Sequence, residues 1–270
     1  MISLSVEELT DYRKYICDTS SLYFSCILKG EAKGILWADR ADSPNFLLVW
    51  SYYQEGFQLM GQPVRGEEET FKDWFYQTIL PFLKEQEVDY FEYGADTKEL
   101  ADWFGNMFSD KEIFSENQKI FQWTEKKETL QQPAGYLIEK VDADFWQKEY
   151  QDKAYMLDEI KQVYNDSQTY LENGIAYVAI QDNTVVARAD MLFSDNGYGN
   201  ISVDTKEAHR RKGLSAYLTQ KTIADTCKMG LIPVWDCSED NLASERTAEK
   251  CGFRMIREEV ISGFGLEIKN

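Results

Sequence analysis

The spacing of apolar positions switches repeatedly along the chain between a period of two and a period near 3.6, as expected of mixed strands and helices. Phe46 to Trp50 and Phe57 to Met60 are apolar runs around a polar turn and predict a hairpin. Phe71, Trp74, Phe75, Thr78, Ile79, Phe82 and Leu83 follow i, i+3, i+4, i+7 spacing and predict a helix, which Pro81 should kink. Val88 to Tyr93 reads as a strand, Leu100, Trp103, Phe104, Met107 and Phe108 as a second helix, and Ile120 to Trp123 as a closing strand. The aromatic stripes on these helices read as core rather than as a cofactor box.

Residues 125–134, which include Glu125-Lys-Lys-Glu128 and Gln131-Gln-Pro133, are polar and without period, so they predict a linker between domains spanning 1–130 and 131–270. In the second half Tyr136 to Val141 is a predicted strand and 143–171 a helical region. Gly174 to Ile180 and Thr184 to Phe193 are strands about the turn Asp182-Asn183, and Asp195-Asn196-Gly197 signals a further hairpin. A strand at Asn200 to Asp204 precedes a helix that ends by Lys228 before Gly230. Its predicted apolar face is Leu214, Tyr217, Leu218, Ala224 and Cys227. Leu231 to Cys237, Leu242 to Cys251 and Phe253 to Ser262 then predict strand, helix and strand. The fold class is α+β, a mixed sheet with helices.

Composition narrows the function. Of the 270 residues 43% are hydrophobic, enough for substantial cores, and the net charge of -18 disfavours a nucleic-acid partner; it would draw a cationic or amine substrate, but it serves plain solubility first. Five scattered cysteines and a single histidine, His209, give no metal-ligand spacing. No apolar run reaches a membrane span, and residues 1–30 show no export-signal pattern. A cytoplasmic protein without metal or membrane partner is expected.

Against this acidic background, Lys206, Arg210, Arg211 and Lys212 concentrate positive charge just before a helix that opens at Gly213-Leu214-Ser215. A helix start presents amides without internal acceptors, and its dipole adds positive charge, so it suits a pyrophosphate. Gly213 and Ser215 are small enough to let phosphates approach the backbone.

The segment Val203 to Ser215 resembles the coenzyme-binding segment of the GNAT N-acetyltransferase superfamily, with its Arg/Gln-x-x-Gly-x-Gly/Ala pattern at Arg210, Gly213 and Ser215. Asn241-Leu-Ala-Ser244 followed by Cys251-Gly-Phe253 is similar to the family's second motif. The whole chain looks like a bacterial two-domain group whose N-terminal half is degenerate. The resemblance implies a GNAT-like acyl-CoA N-acyltransferase fold in the C-terminal half. It implies acetyl-CoA as acyl donor, held by Ile201, Ser202, Val203, Arg210, Arg211, Lys212, Gly213, Leu214, Ser215, Asn241 and Ser244. The strands Asn200 to Asp204 and Leu231 to Cys237 should splay, with the pantetheine arm in the gap. The acceptor would be a primary amine of a small molecule or protein.

Attack on a thioester needs a neutral amine, hence a base. Asp190, Asp236 and Glu239 are candidate bases, and Cys237, Ser238 and Ser244 are candidate acids. The family's frequent tyrosine acid, seven residues after the helix asparagine, falls here on Ala248. A non-catalytic acyl-CoA-binding regulator is therefore a rival reading; an aminoacyl transferase of the two-GNAT-domain type, against which the net charge of -18 argues, and a scaffold with a relic pocket are two others. In the first half, the echo of the second-half element order suggests a degenerate duplicate. Glu67, Glu68 and Glu69 at its helix start would repel phosphates, so this half is expected to bind no coenzyme.

Overall fold

The structure, a computed structural model, describes residues 1–4, 12–17 and 20–266. Residues 5–11 and 18–19, part of the stretch read for an export signal, lie outside it. The described chain forms two compact units, 1–117 with 259–270 and 118–258.

Unit 1 opens with elements that the apolar pattern did not reveal: β1 (Ile2–Leu4), α1 (Leu22–Leu28) and β2 (Gly34–Ala38). The expected hairpin is β3 (Phe46–Ser51) and β4 (Gly56–Gly61). The helix containing Pro81 is not simply kinked. It runs as α2 (Glu68–Trp74), a π-helical turn Phe75–Ile79, and α3 (Leu80–Glu85). Pro81 falls in the first turn of α3, where a missing N–H costs little. β5 (Tyr90–Ala95) and α4 (Lys98–Met107) follow. The strand order is β1-β2-β3-β4-β5, antiparallel except for the parallel β4–β5 pair. Its core is largely aromatic: Trp37, Trp50, Phe57, Phe75, Phe91 and Phe104 are all buried.

Unit 2 contains β7 (Leu137–Lys140), β8 (Ile175–Gln181), β9 (Thr184–Asp195) and β10 (Tyr198–Thr205), all antiparallel neighbours, then β11 (Ile232–Ser238) parallel to β10. The expected turns are tight: Asp182, Asn183, Asn196 and Gly197 all take positive φ. The helical region 143–171 breaks into α5 (Ala143–Gln147), α6 (Ala154–Val163) and α7 (Ser167–Asn173). Asp142 and Asp166 cap α5 and α7 by accepting from Phe145 N and Thr169 N. α8 (Leu214–Lys228) and α9 (Leu242–Cys251) complete the unit.

The buried face of α8 differs from the expected one. Ala224 and Cys227 are exposed, whereas Thr219, Thr222 and Thr226 are fully buried. Burial of the last two is tolerable because Thr222 and Thr226 donate their hydroxyls to the carbonyls four residues back, at 3.2 and 2.9 Å.

The domain boundary also moves from 130/131. β6 (Ile113–Trp123) is longer than its apolar core suggested, and its residues Gln118–Gln122 pair with β11. β12 (Phe253–Gly265) begins in unit 2, and its residues Ser262–Gly265 pair with β5. Each five-strand set is therefore completed by a sixth antiparallel strand from the other half of the sequence. The two units repeat one pairing pattern, as a duplicate should.

Candidate active site

The parallel pairing of β10 and β11 lasts three rungs: Tyr198↔Ile232, Gly199↔Pro233 and Asn200↔Val234. Beyond it, β10 follows β9 as far as Thr205↔Ala187, while β11 follows β6 as far as Ser238↔Gln118. The two strands thus part after Asn200. A register shift coincides with the parting: Asn200 faces Phe193 and Ile201 faces Met191, so β9 carries an extra residue, Leu192, at this point.

One face of this split carries the helices. Ile201, Trp235 and Cys237 are buried there with Ala216, Ile223 and Ala248. Next to it the loop 206–213 delivers α8. Gly213 is the cap, at φ +80°, a residue with no side chain of its own to bond the helix amides, and open space lies where a Cβ would stand. The first turn of α8 holds no acidic residue. Arg211, also at positive φ, Lys212 and Gly213 are exposed, whereas Leu214 is buried against the sheet. Arg210 Nε donates to Thr205 O at 3.0 Å, and Ser215 Oγ and Thr205 Oγ1 are 2.9 Å apart. Lys212 Nζ lies 5.8 Å from the Tyr136 ring centre, and the Tyr136 hydroxyl is 3.0 Å from His209 Nδ1. Burial, with Lys212 and Lys206 nearby, moves His209 below the usual histidine range. Lys206 is paired with Asp152.

The start of α9 is held by its own side chains. Asn241 Oδ1 accepts from Ser244 N at 3.1 Å, and Ser244 Oγ accepts from Trp235 Nε1 at 2.9 Å. Cys237 is buried, which pushes its thiol up. Glu239 is exposed beyond the end of β11.

The opposite sheet face is polar, and sequence reasoning saw only part of it. Asp190 is 1% exposed and bonded to Arg188, itself 4% exposed. Arg188 also pairs with Glu159 of α6 at 2.6 Å. Burial pushes the Asp190 carboxyl up to about 6, with Arg188 opposing and Glu159 adding to the shift. Tyr155 of α6 donates to Asp204. Burial and that carboxylate push the phenol above its ordinary range. Asn200 Nδ2 donates to Asp236 Oδ1 at 2.9 Å across the split. The Arg188–Asp190 pair had a signal: two charged residues at i, i+2 within an apolar strand run must share a face. Glu159 and Tyr155 had none, because their partners lie far away in sequence.

In unit 1 the corresponding helix start is filled. Gly66 N donates to the Glu68 carboxylate at 2.8 Å, which Trp103 also meets at 3.3 Å. The backbone amide bonds hold Glu68 below the ordinary carboxylate range.

Residues 14–260 match the GNAT acetyltransferase family. The chain belongs to that family. An N-acetyltransferase of Bacillus subtilis, YdfB, described as uncharacterized, is 26% identical over 135 residues, covering 50% of this chain and 51% of that protein. The chain thus spans about half the length of this curated relative. A GCN5-related N-acetyltransferase-like protein from Streptococcus suis shares the fold at TM-score 0.63 and 20% identity, over 96% of this chain and 98% of the other. A tandem GNAT protein from the clavulanic acid biosynthesis pathway shares it at TM-score 0.59 and 10% identity, over 100% and 99%. Among the described residues no helix is long and apolar enough to cross a membrane, and no group of three or more His, Cys, Asp or Glu is arranged to hold a metal.

Proposed function

We propose that this protein is an acyl-CoA-dependent N-acyltransferase that moves an acetyl group from acetyl-CoA to a primary amine of a small molecule or protein. The observation that carries the reading is the parting of β10 from β11 after Asn200, upstream of a helix start whose cap is Gly213. The pyrophosphate would sit on the amides of residues 211–216, where positive-φ turns and the first turn of α8 favour anions, with Arg210, Arg211 and Lys212 supplying charge. The pantetheine arm would run along Ile201, Ser202 and Val203 in the gap, with the Val203 amide available to the carbonyl oxygen as charge develops. Asn241 and Ser244 would support that arm from the start of α9. Unit 1, with Glu68 already on its helix start, is assigned no coenzyme. Five free cysteines support a reducing, cytoplasmic setting.

A second reading, a non-catalytic acetyl-CoA-binding regulator, draws on Ala248, which is fully buried and offers no hydroxyl to the leaving thiolate. Because a thiol ionises near about 8.5, the thiolate leaves without strong acid help, and we favour catalysis. The test is thermal-shift titration with acetyl-CoA, then a panel of primary amines with detection of released thiol. A shift and thiol release support the transferase, a shift alone supports the regulator, and neither overturns both.

A further inference from the structure

We infer that Asp236 is the carboxylate that takes a proton from the attacking amine, and that Asn200 is the residue that positions it. The inference rests on the transferase reading and assigns a step to residues that the coenzyme loop does not use.

Placement comes first. Trp235 reaches Ser244 of α9, so the alternation of β11 turns Asp236 to the opposite sheet face. Asp236 stands two residues past Val234, the last rung before the strands part, so its carboxylate lies at the mouth of the split. It is half-buried, accessible enough to meet an incoming nitrogen. Asn200, 5% exposed, supplies the last β10 rung and the first side of the bulge, and its amide spans the gap to Asp236 at 2.9 Å.

The other carboxylates of this face fit the task less well. Asp190 is sealed by burial and bonded to Arg188, which also takes Glu159. Asp204 holds the Tyr155 hydroxyl, and Glu239 lies beyond the strand. Asp236 accepts from the Asn200 amide, which orients the carboxylate at the point where the strands part.

The same clasp occurs in unit 1. Gln58 is paired with Gly94, and its amide donates at 2.7 Å to Asp96, two residues beyond that rung. There the strands stay joined one rung longer, at Leu59↔Ala95, and Asp96 N donates to Leu59 O at 3.1 Å. An amide–carboxylate clasp is thus built into both parallel strand pairs, but only in unit 2 does it stand at an opening.

The step balances as follows. An ammonium acceptor gives one proton to Asp236 and becomes a neutral amine. Its nitrogen attacks the thioester carbon, the N–C bond forms, and the C–S bond breaks with its electron pair on sulfur. The second N–H proton ends on that thiolate, giving the amide and free coenzyme A, and Asp236 returns its proton to solvent.

The experiment measures kcat and KM for putrescine, ethanolamine, Nα-acetyl-lysine amide and a tetrapeptide with a free N-terminal alanine, alongside the acetyl-CoA thermal shift. Asp236→Asn should lower kcat on the best of these amines by about 100-fold or more, within the range a general base contributes. Its acetyl-CoA KM and thermal shift should stay at wild-type values. Asn200→Leu should lower kcat about tenfold at unchanged acetyl-CoA KM. Asn200→Gln, the amide found at this register in unit 1, should restore most of the rate. Asp236→Asn turning over within threefold of wild type, or losing the acetyl-CoA shift, overturns the assignment. Should that variant not fold, Asn200→Leu at wild-type kcat overturns it instead. Wild-type protein that acetylates none of the four amines overturns the transferase reading, and this inference with it.

Discussion

Gln58 donates to Asp96 in unit 1 from the same register position that Asn200 occupies opposite Asp236 in unit 2. The two halves differ one residue later. β3–β4 runs six rungs without interruption, from Phe46↔Gly61 to Ser51↔Gly56, whereas β9–β10 shifts register between Asn200 and Ile201. The extra residue is Leu192 of β9, opposite the point where the β10–β11 pairing ends. One bulge therefore accompanies the difference between a closed strand pair and a split one.

Gly213 sits at φ +80° with open space around it. Gly213→Ala should cost about 1 kcal/mol of stability, the penalty of a left-handed residue with a Cβ, and leave acetyl-CoA binding within about tenfold. Gly213→Glu adds a carboxylate at the helix start and should abolish the acetyl-CoA thermal shift with far-ultraviolet circular dichroism unchanged. Retained affinity would mean that the phosphates bind elsewhere.

Asn241 caps α9 through Ser244 N. Asn241→Ala should destabilise unit 2 by about 1 kcal/mol, the usual loss of a cap, and lower Tm by about 2–4 °C. It should weaken acetyl-CoA binding far less than Gly213→Glu. Calorimetry with and without acetyl-CoA separates the two effects.

Asp190 shapes the pH dependence of stability. Its carboxyl titrates near about 3.9 when unfolded and is pushed up to about 6 when folded, chiefly by burial. Between these values the folded state keeps a proton that the unfolded state has shed. Stability should therefore fall as pH rises from about 4 to about 6 and then level, by up to roughly 3 kcal/mol. Urea unfolding of wild type and Asp190→Asn across pH 4.5–7 measures this, and the variant should lack that part of the slope. Arg188→Leu, which leaves Asp190 and Glu159 without their shared cation, should cost about 3–5 kcal/mol.

Cys17 and Cys227 are exposed, while Cys26, Cys237 and Cys251 are buried. Burial pushes the Cys251 thiol up to about 12. An aromatic disulfide reagent should titrate two thiols in the native protein and five in urea. The double variant Cys17→Ser, Cys227→Ser should remove the native reaction and lower the background of the thiol-release assay.

Local features were legible because local physics decides them. Asp182-Asn183 and Asn196-Gly197 take the positive φ that their turns demand. α9 spans Leu242–Cys251 as read, because Asn241 starts it and Gly252, at φ +99°, stops it. The buried face of α8 departs from its apolar pattern because an apolar scale does not credit threonines such as Thr222 and Thr226 that bond their own helix. Within the helical region 143–171, apolar spacing alone does not show where Asp142 and Asp166 cap separate helices.

The chain by itself determined its alternating elements, its turns, a basic loop ending in glycine at a helix start, and from these its family, since each depends on residues within a few positions of one another. Only the tertiary structure decided that β6 and β12 each complete the other half's set of strands, that Arg188 joins Glu159 to Asp190, and that Asn200 meets Asp236 where β10 leaves β11. Those contacts link residues tens of positions apart through strand register and a single bulge, and register is set by how whole faces pack rather than by any local run of residues.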